Sequence, residues 1–231
     1  MVTEEDGFSK WLEEEREKIE KAARVNGETQ KNRGYQIRNT YGVGHGDKVN
    51  DYTVKRNSNT DIERYEDIAE DVASDVYESV DPGDKYRILD VGSSFGVAAQ
   101  NLKLEVLERL YEEEGEDYRD RIEIYELDQD PELFGLENEL EMTSDIGNDR
   151  ETEHLSNPTL GVAQKIPFEE DIFDLTISHE ALTPLGDKEL DTAVSEIQRV
   201  TKRGGEYAVV TGGGEKDRNR RHLSRSLEEA F

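Results

Sequence analysis

The stretch YRILDVGSSFG, residues 86–96, decides how this chain is read: an apolar run ends in an acid and passes into a loop of small residues. Tyr86 to Val91 has the length and content of a buried strand. It delivers Asp90 and the Gly92–Gly96 loop to the edge of a ligand pocket. With glycine at 92 and 96 and serine at 93 and 94, a ligand can lie directly against the backbone. Two nucleotide-binding arrangements use such a strand, glycine turn and helix. The dinucleotide fingerprint sets three glycines so that pyrophosphate rests on the helix N-terminus. Counted from Gly92, the second and third positions hold Ser94 and Val97. Asp90 would also repel pyrophosphate, whereas it favours a ligand carrying ammonium or sulfonium charge. An ordinary tight strand-to-helix turn is the competing reading.

Composition limits what surrounds this stretch. A chain of 231 residues accommodates one α/β domain plus an extension. Its 56 acids against 29 bases give a formal charge of -27, a field that disfavours nucleic-acid phosphate and anionic membrane. A hydrophobic content of 33% is lean enough to suggest disorder, yet periodic apolar segments run through most of the chain. An acid-coated folded protein adapted to concentrated salt reconciles the two, and the composition resembles that of proteins from halophilic archaea. Without cysteine there is no disulfide, thiolate nucleophile or cysteine metal site. Four histidines at 45, 154, 179 and 222 are scattered, so no metal centre is expected. Glu4, Glu5 and Asp6 stand where a signal peptide would be basic, and no apolar run reaches membrane-spanning length, so the expected compartment is the cytoplasm.

Periodicity places the elements around the loop. A thin apolar stripe of Phe8, Trp11, Leu12, Ile19 and Ala22 marks a helix over about residues 4–25, either a lid on the domain or a solvated leader. Residues 26–60 carry the composition of a long loop, in which Tyr35, Tyr41, His45 and Tyr52 are candidates for shaping a pocket. The division expected is an extension over 1–60 and a domain over 61–231. Three- and four-residue apolar steps predict a helix from Asp61 to Val80 and another from about Phe95 to Glu113. RIEIYELD, residues 121–128, reads as the second strand, and the third is expected near Leu160 to Ile166. Phe173 onward is the fourth, Leu190, Val194, Ile197 and Val200 line the next helix, and EYAVVT is the fifth strand. Beyond Gly214 a basic amphipathic helix carries Arg218, Arg220, Arg221 and Arg225 outward.

Four of these segments together resemble the class I S-adenosylmethionine-dependent methyltransferases, over roughly residues 60–213. ILDVGSSFG is similar to their motif I, whose common form has a further glycine where Ser94 stands. ELDQDP is similar to the end of their second strand, and counting back from Pro131 puts its acid at Asp128, with Glu126 as the fallback. The pattern of Ile166, Pro167, Phe168, Phe173 and Asp174 resembles the approach to the fourth strand in the small-molecule group. RGGEYAVVT resembles the glycine pair before the fifth. The resemblance implies an α/β fold, a Rossmann-like mostly parallel sheet flanked by helices. It also implies a sixth strand and an antiparallel seventh, for which no residues remain. A trimmed chain, a degenerate edge, a homo-oligomer or a partner completing the sheet would each account for that.

The resemblance further implies S-adenosyl-L-methionine as cofactor and a small-molecule acceptor. Gly92, Ser93, Ser94 and Gly96 would line its methionine end, Asp90 would support the amine indirectly, and Asp128, followed by Gln129, would hold the ribose hydroxyls as a bidentate acceptor. Val162 stands where the family often has an acid for the adenine amine, which leaves Gln164 or backbone groups. His179 and Glu180, at the end of the fourth strand, are candidates for removing a proton from the acceptor, while His179 can equally wall the cofactor pocket. Methyl transfer can proceed by proximity without a dedicated base. A non-catalytic cofactor-binding or partner subunit of the same fold, and a nicotinamide-dependent oxidoreductase, are the other readings.

Overall fold

Tyr86–Val91 forms β1, the central strand of a five-stranded sheet whose order is β3-β2-β1-β4-β5. The computed structural model describes residues 7–21, 62–79, 84–93, 96–129, 156–179, 181–182 and 185–210. Expectations for the loop with Tyr35, Tyr41, His45 and Tyr52, and for the C-terminal basic helix, lie outside the described residues. So do Ser94, Phe95 and Glu180.

Every pairing in this sheet is parallel: β1 with β2 (Ile122–Asp128) and β4 (Phe173–His179), β2 with β3 (Asn157–Leu160), and β4 with β5 (Thr201–Val210). Parallel neighbours need crossovers, and the helices supply them on both faces. The helices are α1 (residues 7–21), α2 (Ile62–Ser79), α3 (Val97–Glu114) and α4 (Asp187–Val200). This doubly wound, Rossmann-like arrangement matches the class I methyltransferase fold implied by the sequence.

The two faces carry separate cores. On one, Ala69, Val72 and Val76 of α2 and Ala99, Leu102, Val106 and Leu110 of α3 pack over Ile88, Ile124 and Ile177. On the other, Leu190, Val194, Ile197 and Val200 of α4 cover Leu89, Val91 and Phe173. The apolar stripe of α1 belongs to the first core: Phe8, Leu12 and Ile19 are buried there, and Phe8 stacks on Tyr111 at 4.1 Å. The same helix pairs Arg16 with Glu108 at 2.5 Å, and Arg119 lies over the Trp11 ring. Tyr111 is fourteen residues along α3 from Val97, about 20 Å at 1.5 Å per residue. The expected lid therefore packs, in its described part, at the far end of α3 from the Gly92–Gly96 loop.

Two strands differ from expectation. The third occupies Asn157–Leu160 rather than Leu160 to Ile166. Gly161 donates its amide to the Asp128 carbonyl and the chain then turns back through a Val162–Lys165 bridge, so the apolar run after Leu160 is a turn. Pro158 is tolerated because this strand has a described neighbour on one side only. The fifth strand begins at Thr201, paired with Phe173, and resumes at Glu206, paired with Leu175. The glycine pair lies in a bulge between those points, where Gly204 adopts φ 85°.

The Pro-Phe segment before β4 is fixed by one arginine. Arg199 donates to the carbonyls of Phe168 (2.8 Å) and Ile166 (2.9 Å) and to both oxygens of Glu196, which in turn accepts the Ile166 amide at 2.9 Å. These Arg199 hydrogen bonds hold the Glu196 carboxyl below its ordinary range. Arg199→Ala is expected to strand two carbonyls and lower stability by about 2 kcal/mol in urea unfolding, whereas substitution of exposed Lys188 should cost almost nothing.

Candidate functional site

In an open parallel sheet, ligands bind beyond the carboxyl ends of the strands, where the strand order reverses. Here that point lies between β1 and β4. Gly92 follows β1 with φ 77° and Gly96 starts α3 with φ 64°, both left-handed conformations in which a side chain is strained. Space imposes the same choice. A β-carbon on Gly92 would collide with Ala181, just after β4, and one on Gly96 would collide with the Glu126 carboxylate. The loop is anchored from below: Leu127 accepts the amides of Gly92 (2.7 Å) and Ser93 (3.2 Å), and Ser93 accepts that of Gly96 at 2.9 Å. Ser178, near the end of β4, donates its hydroxyl to the Val91 carbonyl at 2.9 Å.

Beneath the loop lie two carboxylates. Asp90 and Glu126 are register partners on neighbouring strands, so they share a face of the sheet, and both are buried, at 1% and 0% exposure. Gln100, one turn into α3, donates its amide to Glu126 Oε1 at 2.8 Å and reaches Ser156 Oγ at 3.5 Å. The remaining acceptors find no such partner among the described residues: both Asp90 oxygens, Glu126 Oε2, Gln100 Oε1 and the Ser93 hydroxyl are buried without a hydrogen bond. The Ala99 amide, in the first turn of α3, leans toward Asp90 without reaching bonding geometry. Burial first, and then repulsion from Glu126 and Asp128, pushes the Asp90 carboxyl well above its ordinary range. Burial likewise pushes Glu126 up to about 7, opposed by hydrogen bonds from Gln100 and Ser156 and assisted by Asp128.

The residues singled out by the sequence thus divide. Asp90, Gly92, Ser93, Gly96 and Asp128 converge at the carboxyl edge of β1 and β2. Asp128 is half-buried at the end of β2, paired in register with exposed Leu160, and exposed Gln129 follows it. Gln164 sits half-buried in the turn between Val162 and Lys165. His179 closes β4 opposite Val210. Gln100 and Ser156 were not anticipated from the sequence, and Glu126 stood only as the fallback for Asp128. Their signal was parity: Glu126 follows Ile122 and Ile124 on the covered face, and Gln100 follows Ala99 on the side of α3 that meets the sheet.

A donor-rich, positively charged ligand suits such a site, because acceptors and glycines are what the edge presents. The methionine end of S-adenosyl-L-methionine, with its ammonium and sulfonium, has that chemistry. Asp128 adds a half-buried carboxylate at the same edge, able to accept two hydrogen bonds. A groove of about 750 Å³, lined by Arg199, Lys202, Arg203 and Glu206, lies at the opposite end of β4 and β5, away from the switch point.

Residues 121–209 match the profile of a family described as a methyltransferase domain. Among curated proteins none matches the chain. Solved structures similar to it include the YcgJ protein from Bacillus subtilis, 18% identical over 67% of this chain and 53% of that one, with a TM-score of 0.45. CalS10, an amino pentose methyltransferase from Micromonospora echinaspora solved with S-adenosylmethionine bound, is 18% identical over 66% of this chain and 53% of its own, with a TM-score of 0.43. A methyltransferase dependent on S-adenosylmethionine from Methanosarcina mazei is 21% identical over 54% and 51%, with a TM-score of 0.39. The chain spans about half the length of these structures.

Gly96→Ala combines backbone strain with a collision against Glu126. It is expected to destabilise the protein by more than about 1 kcal/mol in chemical unfolding, while Gly115→Ala, strained but in open space, should cost less.

Proposed function

We propose that this chain is an S-adenosylmethionine-dependent methyltransferase acting on a small-molecule acceptor. The observation that carries the reading is the loop of left-handed glycines over a buried Asp90 that has no hydrogen-bond partner among the described residues, at the switch point of the sheet. The match of residues 121–209 to a methyltransferase domain supports it. The strand with the acid, the loop and α3 precede the matched segment, so the two supports rest on different residues.

In this reading Gly92, Ser93, Ser94 and Gly96 hold the methionine end of the cofactor, with Asp90 acting on its amine from below. Asp128 takes the ribose hydroxyls, and Gln129 and Gln164 complete the nucleoside side. Leu160, at the end of β3 beside Asp128, and Val162, just after it, carry exposed apolar side chains that suit the face of a flat base. The cofactor supplies an electrophilic methyl group when bound. The protein supplies alignment of the acceptor with it and exclusion of water, which accelerates such a transfer without a dedicated base. His179, the last residue of β4, and Glu180, next in the sequence, are the residues for taking a proton from an acceptor that needs it. Residues 61–231 form the catalytic domain in this assignment and 1–60 its extension. A small polar acceptor, a cytoplasmic setting in concentrated salt and association through a sheet edge accompany the reading, supported by the charge of -27.

Calorimetric titration in molar salt with S-adenosylmethionine, S-adenosylhomocysteine and NAD tests it. Micromolar binding of the first two is expected, weakened about ten- to a hundredfold by Asp128→Ala, with no binding of NAD. Binding of NAD alone, or of none of the three, rejects the assignment.

A further inference from the structure

The acid pair beneath the loop is unusual in what surrounds it. Two fully buried carboxylates face each other across paired strands, and the atoms around them that find no partner among the described residues are acceptors and one hydroxyl. The groups facing them are Asp128 from β2, Gln100 and the Ala99 amide from α3, Ser156 before β3 and Ser93 from the loop. Among the described residues, none of the groups acting on either carboxylate is a cation. Two such carboxylates cannot both ionise without a compensating positive charge, because their repulsion is strongest where water is excluded. Protons can compensate when the loop is empty. A cationic ligand can replace them when the loop is filled.

We propose that Glu126, acting with Asp90, is the charge selector of this site: the pair retains a proton in the empty protein and releases it to solvent when a ligand bearing positive charge settles on the loop. Glu126 touches no ligand in this scheme. It lies against the α-carbon of Gly96 and acts through the loop, so it is a positioning and selecting residue rather than a catalytic one. The inference rests on the methyltransferase reading, and it says which of two closely similar ligands the pair distinguishes. S-adenosylmethionine and S-adenosylhomocysteine differ by one methyl group and one positive charge. An ionised pair holds the first and lets go of the second, which favours release of product.

The direction of the pH effect follows from Glu126 being raised from 4.5 to about 7 on folding. Below pH 4.5 the carboxyl is protonated whether the chain is folded or not, and it costs nothing. Between 4.5 and 7 the unfolded chain gives up the proton while the folded one keeps it, so stability declines as pH rises. Above 7 the loss is complete, and Asp90, raised as well, acts in the same direction.

Two measurements on the full chain in molar salt decide the matter. In thermal unfolding without ligand, Glu126→Gln is expected to melt higher than wild type at pH 8 and level with it at pH 4. A difference that does not change with pH overturns the pair, since a merely structural role for Glu126 would give that. In calorimetry at pH 6.5, the heat of S-adenosylmethionine binding should differ between phosphate and Tris buffers by more than that of S-adenosylhomocysteine, reporting proton release. The preference for the first ligand at pH 8 should fall on the order of tenfold in Glu126→Gln. Binding of both ligands with equal proton release, or with the preference unchanged in the variant, overturns the selector and leaves the methyltransferase reading intact. Failure of wild type to bind either ligand overturns both.

Discussion

The rest of this structure depends on β1 being paired on both sides and covered on both faces. Its backbone groups are taken by β2 and β4, and its side chains lie under α3 on one face and α4 on the other. Water is therefore excluded from Ile88 through Val91, which are all at 1% exposure or less. A carboxylate inside that stretch is pushed toward its protonated form, and Asp90 is raised well above the ordinary carboxylate range by that burial. Asp90 lies one residue from the end of the strand, directly before the Gly92 turn. The fold's interior packing and the chemistry at its edge are, in this sense, one constraint.

The same economy of position is visible at Ile166–Phe168. In the sequence this segment resembled a family signature, and in the structure it has a mechanical role. Phe168 meets Tyr125 and Phe173 edge-on at 5.6 and 5.0 Å, closing the α4 face of the sheet. Arg199 ties the segment's carbonyls to α4, and the ion pair with Glu196 at 2.8 Å is a by-product of that tie rather than its purpose. A half-exposed ion pair alone would contribute little, whereas satisfied carbonyls over an aromatic cluster contribute more.

Where the sequence had a clear period, the structure agrees with it. β1 occupies the expected residues, α4 buries the predicted face, and β2 ends at the predicted acid. The third strand was displaced because an apolar run interrupted by Gly161 looks extended until its hydrogen bonds are traced. α3 is buried on more than the side that meets the sheet: Leu104 and Leu107 are enclosed as well as Ala99 and Leu102, and Lys103 is buried among them with its ammonium pushed down to about 8 by burial. At the site, the glycines and Asp90 were legible because a run of small residues directly after a buried strand marks a place where something must approach the backbone closely. Glu126 was legible only as the fallback for Asp128, because a chain with 56 acids offers little contrast in which one buried acid stands out. Its parity with Ile122 and Ile124, its pairing opposite Asp90 and Gln100 above it distinguish it from acids that face solvent.

The bulge in β5 carries a consequence for how this chain could be altered. Between the first and second pairings β4 advances by two residues while β5 advances by five, so the surplus is absorbed locally and the register beyond Glu206 is undisturbed. It lies at the amino end of the strand, with Gly204 already in open space. Length can be added at Arg203–Gly204 without transmitting a shift to the carboxyl edge. That makes the hairpin-like pleat a natural graft point for a reporter or affinity peptide, spatially insulated from whatever ligand the far edge holds.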